Sequence, residues 1–538
     1  MCADRHISRF LLVSLKVDAI LQETTLHRRR QKLNAMTEGW GLEGVYSEAL
    51  SRITRQEGDK PRLGMATLMW ISHSERPLKV DELCHALGVQ IGSPDLDDNN
   101  VPSIGTLLAC CEGFVSVDKE TSTVQLIHFT LREHLRAHPQ LFDRPHSTMA
   151  ETCLSYLNYN QVKALSGSPS RDFRSTPFLE YSSLYWGVHA KRDLSDCAKR
   201  LVLKLFDDYS NHISTEILLR EEKPEHLDLF TNELVLFSHL HYASFFGIVE
   251  IVTLLVETGG CDINQRDCIG CTPLVWATLN GHEGVVKILL GQGDLDPDIP
   301  NLCSETPLWC AAKNGHEAVV KMLLGQDKIN PNRVNGSGET PLWWAAKNGY
   351  EGVVEILLGR NDINPDKPNQ DRRTPLWCAA ETGQAGVVKI LIGRDDVNPN
   401  KPDKYGATPI WCAASSGHEE VVRILLGRDG VNSENSDYSG KTPLMCASQN
   451  GHEGVVEIIL ERNNASPDKP DDNGETLLPR ADGDGGEGTA TIQPGRDADR
   501  PRKLRSDRRN PLRRAAKRAL TRMRALVRRP TSATPGAV

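Results

Sequence analysis

No run of apolar residues in this 538-residue chain approaches the roughly 18 to 20 that a membrane helix needs. The nearest, FLLVSLKVDAIL from Phe10, is broken by Lys16 and Asp18, follows no basic stretch of the usual kind and lacks a small-residue cleavage site, so it does not read as a leader. Catalytic signatures are missing too. There is no GxSxG elbow and no paired catalytic Cys and His, and the recurring HEGVV lacks the second His that a zinc protease needs one turn on. SGKT at Ser439–Thr442 resembles the end of a phosphate-binding loop, but the first Gly of that loop would fall on Asn435. The CxxC at Cys268 and Cys271, with Cys261 nearby, has no second CxxC or spaced His pair and is a weak zinc signal. Nothing here calls for an enzyme, a cofactor, a metal or a small-molecule substrate.

What is present is long, repetitive and unevenly charged. Such a length exceeds one compact core, so two or more domains are expected. The net charge of -8 hides an asymmetry: residues 500–529 carry fourteen Arg or Lys against one Asp, leaving -21 on everything else. The fourteen cysteines do not suggest a disulfide framework, because Cys310, Cys378, Cys412 and Cys446 recur at one repeat position, as a small buried residue would. A cytosolic or nuclear protein is expected.

The stretch TPLWCAAKNGHEAVVKMLLGQDKINPN from Thr306 recurs with small edits at a period of 34 residues, with units opening at Thr272, Thr306, Thr340, Thr374, Thr408 and Thr442 and a divergent one at Ser238. Thr306 suits an N-cap with Pro307 at the first helical position, and Gly315 ends the helix. A second helix follows, with Val319, Val320, Leu323 and Leu324 on one side and Gly325 closing it, before a turn-rich segment of Asp, Asn, Pro and Gly. Two short helices cannot bury their own apolar face, so the units must stack as a solenoid. On these residues, TPLxxAAxxGHxxVVxxLL with an INPD or VNPN tail, the chain resembles the ankyrin repeat across 238–475. That resemblance implies a protein partner bound on the concave face made by first helices and fingers.

Where the family usually places His, three residues after the Thr, stand Trp309, Trp343, Trp377 and Trp411, expected to form a row of large, mostly buried indoles whose N–H groups need partners; a ligand-reading aromatic row is the alternative. With Thr306, Thr340, Thr374 and Thr408 they are read as structural. His282, His316, His418 and His452 are read as turn residues rather than catalytic ones. Candidates to touch a partner are the positions that vary between copies. At the first-helix exits these are Lys313 and Asn314, Lys347 and Asn348, Glu381 and Thr382, Ser415 and Ser416, and Gln449 and Asn450. At the finger tips they fall in 335–339, 370–373 and 404–407, with Asn335, Gln370, Arg372, Lys404 and Tyr405 foremost.

Before the repeats, RLGMATLMWISHS and VDELCHALGV read as helices around a short RPLK link, and IGTLLACCEGFVSVDKETSTVQLIHFTLREHL as helix, strand, turn, strand, helix. Three helices and a hairpin suggest a winged helix, but residues 61–140 carry six Arg or Lys against ten Asp or Glu, which argues against a phosphate-facing surface. The ordered blocks RFLLVSLKVDAIL, GLEGVYSEALSRI, LGMATLMWISHSERPLKVDELCHAL, VQLIHFTLREHL, CLSYLNY and STPFLEYSSLYWGVHA resemble the connector that follows the nucleotide-binding module in fungal NACHT and ankyrin proteins, relatives of the NOD-like receptors. No Walker strand pair precedes Phe10, so the resemblance implies the connector and sensor halves of such a receptor without its motor, in a shortened paralogue or a gene read from a late start.

The unit at Thr476 loses the apolar second helix, as a decayed cap or a reading-frame accident would. In the basic end, LRRAAKRALTRMRALVRR could form an amphipathic helix for nuclear import, an anionic membrane or nucleic acid, with plain disorder the larger expectation. The expected fold is mainly α: a helical segment over 1–60, a winged-helix-like domain over 61–140, a helical connector over 141–237, an ankyrin-repeat solenoid over 238–475, a degenerate eighth unit over 476–499 and a basic tail over 500–538. The expected function is a non-enzymatic protein–protein interaction scaffold. The alternatives are the sensor part of an ATP-driven receptor and, more weakly, nucleic-acid binding through the tail.

Overall fold

The structure, a computed structural model, describes residues 42–166, 173–206, 212–220 and 237–463, with the single residues 25 and 28. The expectations for FLLVSLKVDAIL, the unit from Thr476 and the basic segment from Arg500 lie outside these residues. The chain forms two compact units, residues 1–221 and 222–538, each mainly helical.

In the first unit, α1 (Leu42–Thr54), α2 (Lys60–His73), α3 (Val80–Gly88), α4 (Ile104–Cys110) and α5 (Phe129–Ala137) surround a small antiparallel sheet of β1 (Leu78–Lys79), β2 (Val115–Val117) and β3 (Thr123–Leu126) in the order β1-β3-β2. The hairpin pairs Val115 with Leu126 and Val117 with Val124. Its turn is made by Asp118, whose carboxylate accepts the Glu120 N–H, and by Ser122 at φ +53°. The RPLK link is more than a link: Leu78 and Lys79 pair with Val124 and Thr123 as a third strand. Two residues are too few for an alternating pattern, and their pairing is made by distant chain. Sheet and helices together form a winged helix.

Then come α6 (Pro145–Leu157), α7 (Leu179–Arg192), α8 (Asp196–Phe206) and α9 (Ile213–Arg220). Buried Trp70 of α2 meets Phe178 and Tyr181 edge-on at 5.5 and 6.0 Å, joining winged helix to following helices through an aromatic core. Beside it three imidazoles converge: His146 Nδ1 lies 3.0 Å from His189 Nδ1, the His189 Nε2 lies 3.0 Å from the Tyr181 hydroxyl, and the His73 ring is 5.6 Å from His146. Burial, reinforced by the guanidinium groups of Arg132, Arg136 and Arg192, pulls His73 down to about 4. Burial with Arg192, His73 and Arg136 pulls His146 down to about 3.

In the second unit each repeat is a pair of helices, from His239–Phe246 with Val249–Glu257 in repeat 1 to Pro443–Gln449 with Glu453–Asn463 in repeat 7. First helices pack on neighbouring first helices, and second on second. In repeat 3 Thr306 is extended at φ -83° and its hydroxyl accepts the Trp309 N–H at 3.2 Å; Pro307 follows, and Gly315 at φ +74° stops the helix. The second helix, Glu317–Leu324, buries Val319, Val320, Leu323 and Leu324. This is a solenoid whose core is the seam between successive units.

Candidate protein-binding surface

Four rows of side-chain bonds tie each repeat to itself or its neighbour. The first is the indole row. Trp309, Trp343, Trp377 and Trp411 donate their ring N–H to the carbonyls of Glu339, Arg373, Ala407 and Lys441 at 2.9 to 3.1 Å, each accepting residue standing just before the Thr that opens the next unit. Trp309, Trp343 and Trp377 are buried, whereas Trp411 is half-buried. The rings of Trp343, Trp377 and Trp411 share one apolar cluster with Cys378, Cys412 and Ala407.

The second row is the turn histidines. His282, His316, His418 and His452 donate Nε2–H to the carbonyls of Phe245, Leu279, Glu381 and Ser415 in the preceding unit at 2.9 to 3.2 Å. Each ring lies over a left-handed glycine: a Cβ on Gly281 would stand 2.6 Å from His316 Nδ1. Tyr350 and Gln384 take the same place in repeats 4 and 5.

The third row organises the fingers. Asp267, Asn301, Asn335, Asn369, Asp403 and Asp437, spaced by 34, each use Oδ1 to accept the N–H groups two and four residues ahead. Adjacent fingers are then joined by backbone bonds, Gly336 N to Cys303 O, Gln370 N to Ser337 O, Lys404 N to Asp371 O and Tyr438 N to Tyr405 O. Where the residue four ahead is Glu305 or Glu339, the organiser is Asn and its amide donates to that carboxylate at 2.9 or 2.8 Å. Where it is Cys271, Ala407 or Lys441, the organiser is Asp. A second carboxylate at 301 or 335 would face the first. Nothing in the structure explains the amide at Asn369, which precedes Arg373.

The fourth row spans helix exits. Asn280, Asn348, Thr382 and Asn450 donate to the carbonyls of Phe245, Lys313, Lys347 and Ser415 one repeat back.

These rows rearrange the candidate list. Asn314 is buried, with its amide on the Cys310 carbonyl at 2.7 Å, and Asn335 is buried as the finger organiser, so neither is a surface contact. Polar groups at helix ends and turns bond the nearest backbone first, and spacing alone did not reveal which way these two amides turn. Asn348 and Thr382 reach the surface, but their donors are committed to the neighbouring repeat. Gln370, Arg372, Lys404, Tyr405 and Ser416 are exposed, Tyr405 at 55 %, while Lys313, Lys347, Glu381 and Ser415 are half-exposed. Lys404 pairs with Asp371 at 2.6 Å, which raises its pKa, and lies over the Tyr405 ring. Tyr438, 67 % exposed, continues this edge on the next finger.

Reading the sequence missed Trp344. It occupies the position of Cys310, Cys378, Cys412 and Cys446 and is half-buried, with its N–H on Glu339 Oε2 at 2.9 Å. The signal was available as a departure between otherwise matching copies.

Burial pushes the Cys378 and Cys412 thiols well up and Cys446 up to about 12, so thiolates are disfavoured. Cys261 Sγ lies 2.8 Å from His239 Nε2, with burial raising the thiol and lowering the imidazole. Among the described residues no group of three or more His, Cys, Asp or Glu is placed to hold a metal ion, and no helix is long and apolar enough to cross a membrane.

Two family models match successive parts of the chain. The family described as ankyrin repeats (3 copies) matches 190–301, 295–369, 328–403, 352–437 and 386–471. The GPI inositol-deacylase winged helix domain matches 52–144. Among solved structures, the human ASB11 ankyrin repeat domain is 26 % identical, with 43 % of this chain and 99 % of that one covered at a TM-score of 0.38. No curated protein matches the chain.

Proposed function

The chain belongs to the ankyrin-repeat family, whose repeats are generally protein–protein interaction modules, and from that premise we propose a non-enzymatic scaffold that binds a protein partner across its first helices and fingers. One observation carries this reading. The side chains that recur from copy to copy are buried or bonded within and between repeats, whereas the varying Gln370, Arg372, Lys404 and Tyr405 stand exposed on adjoining fingers, Gln370 with its amide on the Gly336 carbonyl and Lys404 paired with Asp371. A frame fixed in this way presents its variable edge without an ordering cost on binding. Within this reading the chain divides into a helical segment over 1–60, a winged-helix-like domain over 61–140, a helical connector over 141–237 and repeats over 238–475.

The test is recovery of partners by the full chain against two variants. One replaces Gln370, Arg372, Lys404 and Tyr405 with Ala; the other replaces the exposed second-helix residues Lys321, Glu355 and Lys389. Loss confined to the first variant is expected, and partners unchanged by it would count against the reading.

A second reading is favoured by the winged-helix match at 52–144, N-terminal to the repeats: the chain as connector and sensor of a NOD-like-receptor type of signalling protein, acting with a NACHT ATPase. Co-expression with such a module should give ATP-dependent co-elution, and no nucleotide-dependent assembly would remove this reading.

A further inference from the structure

At one position of each finger the backbone turns through the left-handed region. Gly270, Gly338, Gly406 and Gly440 hold that position at φ +74° to +87°, but Ser304 and Arg372 stand there at φ +61° and +62°. A side chain is unfavourable at this place twice over. Residues other than Gly are strained at positive φ, and a Cβ at Gly338 would come 2.9 Å from Gln370 N, one at Gly406 2.8 Å from Tyr438 N. Serine is short, whereas Arg372 is long and exposed, and among the described residues its guanidinium has no hydrogen bond or ion pair. By contrast Arg333, Arg360 and Arg394 close on Asp298, Asp362 and Asp396 at 2.8 Å. Strain kept for a side chain that the fold does not use points to a use outside it. Charge is not what marks the place: Asp371 is taken by Lys404 at 2.6 Å, and Arg373 faces Asp403 at 3.8 Å and Glu381 at 4.0 Å, so with Arg372 the three cations and three carboxylates balance. The next two fingers carry Tyr405 and Tyr438, 55 % and 67 % exposed and joined by Tyr438 N to Tyr405 O at 2.9 Å. Gly406, which holds the Arg372 position in the Tyr405 finger, leaves room for the Tyr438 ring, since a Cβ there would stand 2.8 Å from its Cδ1. Arginine and tyrosine are the usual anchors of interfaces, and these three stand on successive fingers.

We propose that Arg372, Tyr405 and Tyr438 seat an extended, proline-bearing segment of the protein partner, with one carboxylate on the guanidinium and proline rings against the two phenols. The proposal rests on the interaction-surface reading and gives its partner a chemical class. Spacing favours this occupant. Repeats that pack helix on helix advance by about 8 to 10 Å, and one turn of a polyproline helix advances about 9 Å in three residues, so every third partner residue meets a new finger. A partner α-helix, rising about 5.4 Å per turn, has no such match. A polyproline segment also leaves its carbonyls unbonded for the phenol hydroxyls and is ordered before it binds, which lowers the entropy lost on docking.

The experiment titrates the full chain by fluorescence anisotropy against three labelled peptides of about fifteen residues: one with a Glu followed by Pro at every third position, the same peptide with Lys for Glu, and an Ala-rich helix-forming peptide of the first one's charge. The variants Arg372→Gly, Tyr405→Ser and Tyr438→Gln each take a side chain that sister fingers carry at the same place. The first peptide should bind, losing about fivefold in affinity with Lys for Glu or in Arg372→Gly and about tenfold in each tyrosine variant. Arg372→Gly should at the same time leave the urea midpoint unchanged or raise it, which a structural role for the arginine would not allow. No binding of the first peptide, equal binding of the helix-forming one, variants within twofold of the parent, or a lowered midpoint in Arg372→Gly would overturn the proposal. If partner recovery depends on Gln370, Arg372, Lys404 and Tyr405 but the proline peptide does not bind, the proline-segment proposal falls and the interaction surface stands; if neither result is obtained, both fall.

Discussion

Replacing Asn335 by Asp changes one atom and should be expensive. The native amide donates to Glu339 Oε2 at 2.8 Å while Oδ1 holds the N–H groups of Ser337 and Glu339. In Asn335→Asp the two backbone bonds survive, but a hydrogen bond to a charged group, roughly 1.5 to 3 kcal/mol, becomes a contact between carboxylates. Glu339 can swing away only by giving up the Trp344 N–H. Together these give a cost of about 2 to 3 kcal/mol at neutral pH. Adding Glu339→Ala recreates the pair found at Asp403 and Ala407, so the double variant should be about 2 kcal/mol more stable than the two single changes added together. Urea unfolding followed by far-UV circular dichroism at pH 7 measures all four corners of this cycle. At pH 4.5 the coupling should shrink, because one carboxyl of the pair then takes up a proton. A coupling below about 0.5 kcal/mol at pH 7 would refute the account of why Asn and Asp alternate along the fingers.

Three further outcomes follow from the same structure. Trp377→Phe removes the indole N–H from the Ala407 carbonyl, which keeps its bond from Asp403 N, so the loss should be about 1 kcal/mol plus a small packing term, read as a lower urea midpoint with an unchanged slope; no shift would show the indole bond to be idle. Gly259 and Gly281 both have φ +69°, but a Cβ meets nothing at Gly259 and the His316 ring at Gly281, so Gly259→Ala should cost about 1 kcal/mol and Gly281→Ala more than 2, and equal costs would contradict the packing of that ring. In the first unit, His73 and His146 have folded pKa values below the unfolded 6.5, so the unfolded chain takes up protons first: their contribution is neutral above pH 6.5 and destabilising as pH falls from there towards about 4. After discounting for partial exposure, the loss by pH 5 is about 1 kcal/mol per imidazole. Thermal melts from pH 7 to 5 should show a falling midpoint that flattens in His146→Gln, and a midpoint independent of pH in the parent would argue against the buried cluster.

The sequence by itself determined the period, the helix pairs and the solenoid. Thr306 with Pro307, Gly315 and the apolar face of the second helix are local signals, and recurrence at 34 residues multiplied them. The winged helix was legible for the same reason, apart from β1, whose two residues become a strand only when Thr123 and Val124 arrive beside them. Tertiary structure decided which varying residues are surface. Asn314 and Ser416 occupy the same position of the varying helix exit, three units apart, yet one amide folds back onto a carbonyl and the other side chain stays exposed. The difference between Asn335 and Asp403 carried information, but its meaning needed the distance to Glu339. Trp344 could be seen in the sequence only as an exception; that two lysines from successive repeats meet over its ring follows from stacking, because residues 34 apart become neighbours only when the helices that carry them are packed side by side.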